Sequence, residues 1–167
     1  ESVDFDTTGN LYIEGDNLDV LKCLKETYSG KIKMIYIDPP YNTGNDFVYN
    51  DDFAESASEY LANSGQYDDQ GNRLVTNTES NGRYHTDWLN MIYPRLKVAR
   101  DLLTDDGVIF ISIDDNEVEN LKKVCNEIFG ESNSIGIFSV ENNPKGRKNS
   151  DFISVSSEYC LVYAKNK

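Results

Sequence analysis

Apolar residues recur along the chain in two rhythms. Leu18, Leu21, Leu24 and Tyr28 stand three and four apart, which predicts one face of a helix over 17–28, stopped by Ser29-Gly30. The same period returns after Thr86 with Leu89, Ile92, Leu96, Ala99 and Leu103. Pro94 falls inside that run and predicts a kink or a split into two helices. A third helix carries Val118, Leu121, Cys125 and Ile128, with Asp114-Asp115-Asn116 placed to cap its start and Gly130 past its end. Short apolar runs alternate with these helices, at 11–14, 33–37, 108–113, 135–140 and 159–164. Each reads as a strand. The runs at 33–37 and 108–113 are apolar almost throughout, which predicts strands buried on both faces.

This order predicts a single domain with an open α/β sheet, mostly parallel, and an antiparallel hairpin of the last two strands at one edge. Residues 45–83 break the rhythm. They are rich in Gly, Asn, Asp, Ser and Gln, and predict a long polar loop with one short helix near 54–62. In open α/β sheets ligands sit beyond the carboxyl ends of the strands. Three predicted strands end in acid there, at Asp16, Asp38 and Asp114-Asp115.

Composition narrows the picture. The net charge is −13, which argues against simple nucleic-acid binding by this segment, since basic residues supply the affinity for phosphate. One basic cluster, Lys145, Arg147 and Lys148, lies in the loop "NNPKGRKNSD" and suits either phosphate contacts or a solvated hairpin tip. No apolar run approaches bilayer length and no leader pattern is present, so a cytoplasmic protein without a membrane partner is expected. Cys23, Cys125 and Cys160 are widely spaced and read as reduced core residues. With a single histidine, His85, no metal site is expected. The chain starts at Glu1 and stops just after an apolar strand, which reads as a piece of a longer protein.

The stretch "KMIYIDPPYNTG" carries the chemistry. An apolar strand stops at Asp38, and Pro39, Pro40 and Tyr41 follow. A capped turn would not need a large aromatic after two prolines. A nucleotide hydrolase would need a GxxxxGK[ST] loop, and the sequence has none. "DPPY" after an apolar strand resembles the catalytic motif of DNA methyltransferases that modify exocyclic amines, and the residue types fit the chemistry this resemblance implies. An exocyclic amine is a poor nucleophile because its lone pair is delocalised into the ring. Asp38 and the carbonyl of Pro39 would accept its two N–H bonds and turn it toward a tetrahedral shape. The prolines stiffen the backbone, so the acceptors are aimed in advance. Tyr41 offers a face on which a base stacks. Asn42, Thr43 and Gly44 shape the turn, and a base contact by Asn42 stays open.

With "GDNLDVLKCL" upstream of this motif, the long segment 82–133 and "NNPKGRKNSDFISVSSEYCLVYAKNK" at the end, the chain resembles, over nearly its whole length, the modification subunit of Type III restriction-modification systems. The resemblance implies a partial Rossmann-like S-adenosyl-L-methionine-dependent methyltransferase sheet. It implies methylation of adenine N6 in double-stranded DNA, the adenine flipped out of the stack, with Asp38, Pro39, Pro40 and Tyr41 catalytic and Tyr41, Lys145, Arg147 and Lys148 on the DNA. It places Asp16 near the adenosine part of the cofactor and Asp38 against the cofactor too, although Asp16 suits a helix cap equally. A restriction subunit and a second modification subunit are the implied partners. The family's FxGxG cofactor segment and its target-recognition domain do not occur in this sequence, so weak cofactor binding, or none, is expected of this segment alone. Two alternatives stay open: methylation of cytosine N4 or another amine, and a non-catalytic scaffold.

Overall fold

The computed structural model describes residues 3–44, 47–49, 74–76, 78, 80, 82–141 and 157–167. In chain order the elements are α1 (Asn17–Tyr28), β1 (Ile32–Ile37), β2 (Phe47–Tyr49), β3 (Leu74–Thr76), α2 (Tyr84–Leu102), β4 (Leu103–Ile113), α3 (Val118–Phe129), a 3₁₀ turn (Glu131–Asn133), β5 (Ser134–Glu141) and β6 (Ser157–Ala164). A four-stranded sheet runs β1-β4-β6-β5. β1 and β4 are parallel, and β6 is antiparallel to both of its neighbours, β4 and β5. The sheet is therefore a mixed α/β sheet. The last two strands form the expected antiparallel pair at one edge, with β6 lying between β4 and β5.

The core sits on the sheet face that carries Ile109, Ile111 and Ile113 of β4, all fully buried, with Leu161 and Tyr163 of β6. Trp88, Met91, Ile92 and Leu96 of α2 and Leu121, Cys125 and Phe129 of α3 close over it. α1 packs on α2, and α2 on α3. Ile35 and Ile37 pair beside Ile109 and Ile111 and extend the same face into β1. The opposite face of β1 is open, and Met34 and Tyr36 are each 60% exposed. The expectation of burial on both faces fails here: the helices described all cover the Ile35/Ile37 side.

Four further readings are corrected. Residues 11–14 form no strand; Leu11 and Tyr12 are 69% and 89% exposed, and no described strand pairs with them. α2 runs through Pro94 as one helix, so the split into two does not occur. The carbonyl that Pro94 leaves without a helical donor belongs to Asn90, an exposed residue, so water can satisfy it. The polar stretch 45–83 contains an antiparallel ladder, Phe47–Tyr49 against Leu74–Thr76. The short helix expected near 54–62 lies outside the described residues. Finally, Cys23 is exposed; only Cys125 of the three cysteines is fully buried, and all three are free thiols. Among the described residues no helix is long and apolar enough to cross a membrane.

Candidate active site

β1 ends where its sequence stops supplying N–H donors. Ile37 makes the last pairing, with Ile111, and Pro39 and Pro40 cannot continue the ladder. The chain leaves the sheet at the carboxyl rim, and Asp38 stands exposed there. β6 runs opposite to β4, pairing Tyr159 with Ile113, so Glu158 near its start reaches the same rim. The insertion of β6 thus brings an acid from far along the sequence beside the motif.

The loop after Asp38 is clamped from below. The indole N–H of Trp88, in the second turn of α2, donates to the carbonyl of Pro40 at 2.7 Å. Trp88 is fully buried, so the contact is shielded from water. The Tyr84 hydroxyl donates to the carbonyl of Asn42. Asn42 takes a left-handed backbone, φ 59°, and its buried side chain donates to Glu117 at 2.6 Å. That side chain is committed inward, so Asn42 shapes the turn rather than offering itself to a base. The Tyr41 hydroxyl donates to Glu158 at 3.3 Å. Burial, the nearby carboxylate of Asp38 and that of Glu158 together raise the Tyr41 pKa well above the usual phenol value. Tyr41 is half-buried, with its ring against the edge of the core.

A cavity of about 670 Å³ opens at this rim between α1, β1 and α2. Its walls are mostly apolar, from Ile35, Ile37, Leu21 and Ile92. Asp38, Pro39 and Pro40 stand at one side, and Gly15, Asn17 and Arg95 supply further polar groups. An apolar slot with a few convergent polar groups is what a nucleoside-sized ligand takes. The carboxylate of Asp38 beside it suits a ligand that carries positive charge.

Of the residues singled out from sequence, Asp38, Pro39 and Pro40 come together at this cavity. Asp16 does not line it; its carboxylate caps α1, accepting from the backbone N–H groups of Leu18 and Asp19 at 3.0 Å each. Asp114 makes a local turn instead of a helix cap, accepting from the backbone and side-chain nitrogens of Asn116 at 2.9 and 2.8 Å. Lys145, Arg147 and Lys148 lie outside the described residues. Trp88, Tyr84, Glu117 and Glu158 were not read from sequence. The one available signal was the pair Tyr84 and Trp88, four apart, which places two hydrogen-bonding aromatics on one helical face. Nothing local marks Glu117 or Glu158.

Comparisons with known proteins bear on this geometry. A DNA methylase family model matches residues 32–167. The Type III restriction-modification enzyme EcoPI Mod subunit of Escherichia phage P1 is 48% identical over 159 residues, 95% of this chain and 25% of that protein. The EcoP15I Mod subunit of Escherichia coli is 48% identical over 163 residues, 95% of this chain and 24% of that protein. The Type II methyltransferase M.KpnI of Klebsiella pneumoniae is 38% identical over 160 residues, 96% of this chain and 33% of that protein. The chain thus spans about a quarter to a third of the length of these curated relatives. Among solved structures, TTHA0409 of Thermus thermophilus matches with a TM-score of 0.53 at 14% identity, covering 92% of this chain and 51% of that one. Its complex with S-adenosyl-L-methionine matches with a TM-score of 0.50 at 12% identity, covering 92% and 52%. At these identities the likeness is one of fold.

Proposed function

The chain belongs to the DNA methylase family, and from that premise we propose that it is part of the catalytic domain of a DNA methyltransferase that methylates adenine N6 in a restriction-modification system. The observation that carries this reading is the exposed carboxylate of Asp38 at the carboxyl end of β1, beside a backbone stiffened by Pro39 and Pro40 and anchored by Trp88.

In this reading Asp38 accepts one N–H of the adenine amine and the carbonyl of Pro39 accepts the other. Both acceptors are fixed before the substrate arrives, so no ordering cost falls at the moment of reaction. Tyr41 offers a flat face to a base extruded from the duplex, a step the buried amine position of a stacked adenine requires. S-adenosyl-L-methionine, when bound, supplies an electrophilic methyl group on a cationic sulfur. Asp38 and the apolar walls of the adjoining cavity would hold it, with Asp16 acting through the α1 terminus that it caps. A fold relative, TTHA0409, has been solved with that molecule bound, which supports the assignment. Lys145, Arg147 and Lys148 would meet DNA phosphates. The target-recognition and FxGxG segments would belong to the rest of the protein, which would also hold the surfaces for a restriction subunit and a second modification subunit. Two relatives are named as Mod subunits of Type III enzymes, and that is the basis for this partnership.

The test is transfer of a labelled methyl group by the full-length protein to duplex DNA, followed by digestion to nucleosides. Label in N6-methyl-2′-deoxyadenosine is expected. Label in N4-methyl-2′-deoxycytidine would replace the proposed target with the other amine. Absence of label on DNA known to carry the protein's recognised site would leave a scaffold.

A further inference from the structure

Below the motif, and away from the cavity, α2, α3 and the loop after Tyr41 meet at one carboxylate. Glu117 is fully buried at the start of α3. Its Oε1 accepts from the side-chain nitrogen of Asn42 at 2.6 Å and lies 2.6 Å from Nδ1 of His85. Its Oε2 accepts from the side chain of Asn120 at 2.8 Å. A buried acid is costly unless its lone pairs are filled, and here three partners from three elements meet them.

The arrangement has a consequence for the loop. Asn42 has φ 59°, a left-handed conformation that L residues other than glycine adopt at a cost, with asparagine among those that tolerate it best. Glu117 holds its side chain and Tyr84 its carbonyl. Asn42 follows Tyr41 directly. Were it to relax to negative φ, the chain direction at Tyr41 would turn, and with it the ring and the neighbouring Pro40 carbonyl. Glu117 reaches neither solvent nor a bound base, so it acts through Asn42.

We infer that Glu117, with His85 covering it, is a positioning group for the motif: it holds Asn42 left-handed and so aims Tyr41 and the Asp38-Pro39-Pro40 acceptors at the substrate. This rests on the methyltransferase reading above. It makes Glu117 and Asn42 one functional unit, and donor and acceptor within that unit can be exchanged. Asn42→Asp sets two carboxylates against each other across 2.6 Å. Adding Glu117→Gln restores one donor and one acceptor in reversed order.

The test uses the full-length protein, with kcat and KM for methyl transfer measured for wild type, Asn42→Asp, Glu117→Gln and the double variant. Asn42→Asp is expected to lower kcat at least about tenfold while KM for DNA and cofactor stays within about twofold. The double variant is expected to recover to within about threefold of wild type. A double variant no better than Asn42→Asp overturns the inference, as does a normal kcat in Asn42→Asp alone. Should the charged variants fold poorly, Asn42→Ala reads the same contact, because the side-chain bond is lost while the left-handed backbone keeps its cost. A wild-type kcat for Asn42→Ala overturns the inference. Failure of the wild type itself to methylate DNA would instead sink the functional reading.

Discussion

The indole nitrogen of Trp88 donates to the carbonyl oxygen of Pro40 across 2.7 Å, with the ring wholly buried. This bond joins the core of the domain to the middle of the motif. Trp88→Phe keeps most of the apolar contact and removes the donor, leaving a buried carbonyl unsatisfied at a cost of about 1–3 kcal/mol. Methyl transfer is expected to fall more than cofactor affinity does, because the motif loses its anchor while the cavity walls stay. Chemical denaturation and steady-state kinetics on the same preparation check both halves.

Tyr41 separates its two parts by substitution. Its hydroxyl bonds Glu158 and also interacts with the carboxylate of Asp38, and its ring is the proposed stacking face. Tyr41→Phe removes only the hydroxyl and is expected to lower activity less than loss of the ring does. Tyr41→Ala removes the ring, and base–aromatic stacking is worth about 1–3 kcal/mol, so activity is expected to fall by about tenfold or more. Equal activities for the two variants would show that no base stacks there.

Gly107 tests the register of the sheet. β1 and β4 pair irregularly between Ile32 and Met34, and Gly107 lies at that irregularity. A Cβ at Gly107 would stand 2.9 Å from the carbonyl oxygen of Thr104 and 3.1 Å from that of Ile32, both backbone atoms. Gly107→Ala is expected to destabilise by about 1–3 kcal/mol. At Gly136, in β5, nothing lies within 4 Å of the added atom, and Gly136→Ala is expected to change stability by less than about 0.5 kcal/mol. Denaturant midpoints compare the pair.

Much of the helical framework was legible from spacing alone, because α2 and α3 each bury a stripe that repeats at three and four residues, and α1 half-buries one behind Leu18. The strands were legible as apolar runs, but their neighbours were not. Inserting β6 between β4 and β5 depends on pairing across a long intervening segment, which no local pattern reports. Residues 11–14 have strand composition and yet no partner among the described strands, so composition misled. Pro94 sits within α2, and Asn90, whose carbonyl it deprives of a helical donor, is an exposed residue. At the site, Asp38 and its prolines were legible because their chemistry is local. Glu117, Trp88 and Glu158 were not, since each acts on the motif through space from an element of its own.

Cys125 gives a pH signature. Burial pushes its thiol up to about 12, against about 9 in the unfolded chain. Well below pH 9 both states hold the proton and the group is neutral to stability. Above it the unfolded thiol ionises first, so this contribution is lost as pH rises from 9 toward 12, at a slope approaching about 1.4 kcal/mol per pH unit. The stability advantage of wild type over Cys125→Ala is expected to narrow by about 1 kcal/mol between pH 9 and pH 10 in urea titrations. An advantage constant with pH would show the thiol to be exposed in the folded protein.

The account turns on the carboxylate of Asp38. It is exposed, so removing it takes little from the fold. The most direct measurement is the single-turnover rate of methyl transfer to DNA by the full-length protein carrying Asp38→Ala, with its circular dichroism and thermal midpoint recorded beside the wild type. The expected result is a native spectrum, an unchanged midpoint and a rate lower by about a hundredfold or more. A folded Asp38→Ala protein that methylates adenine at the wild-type rate would contradict the account.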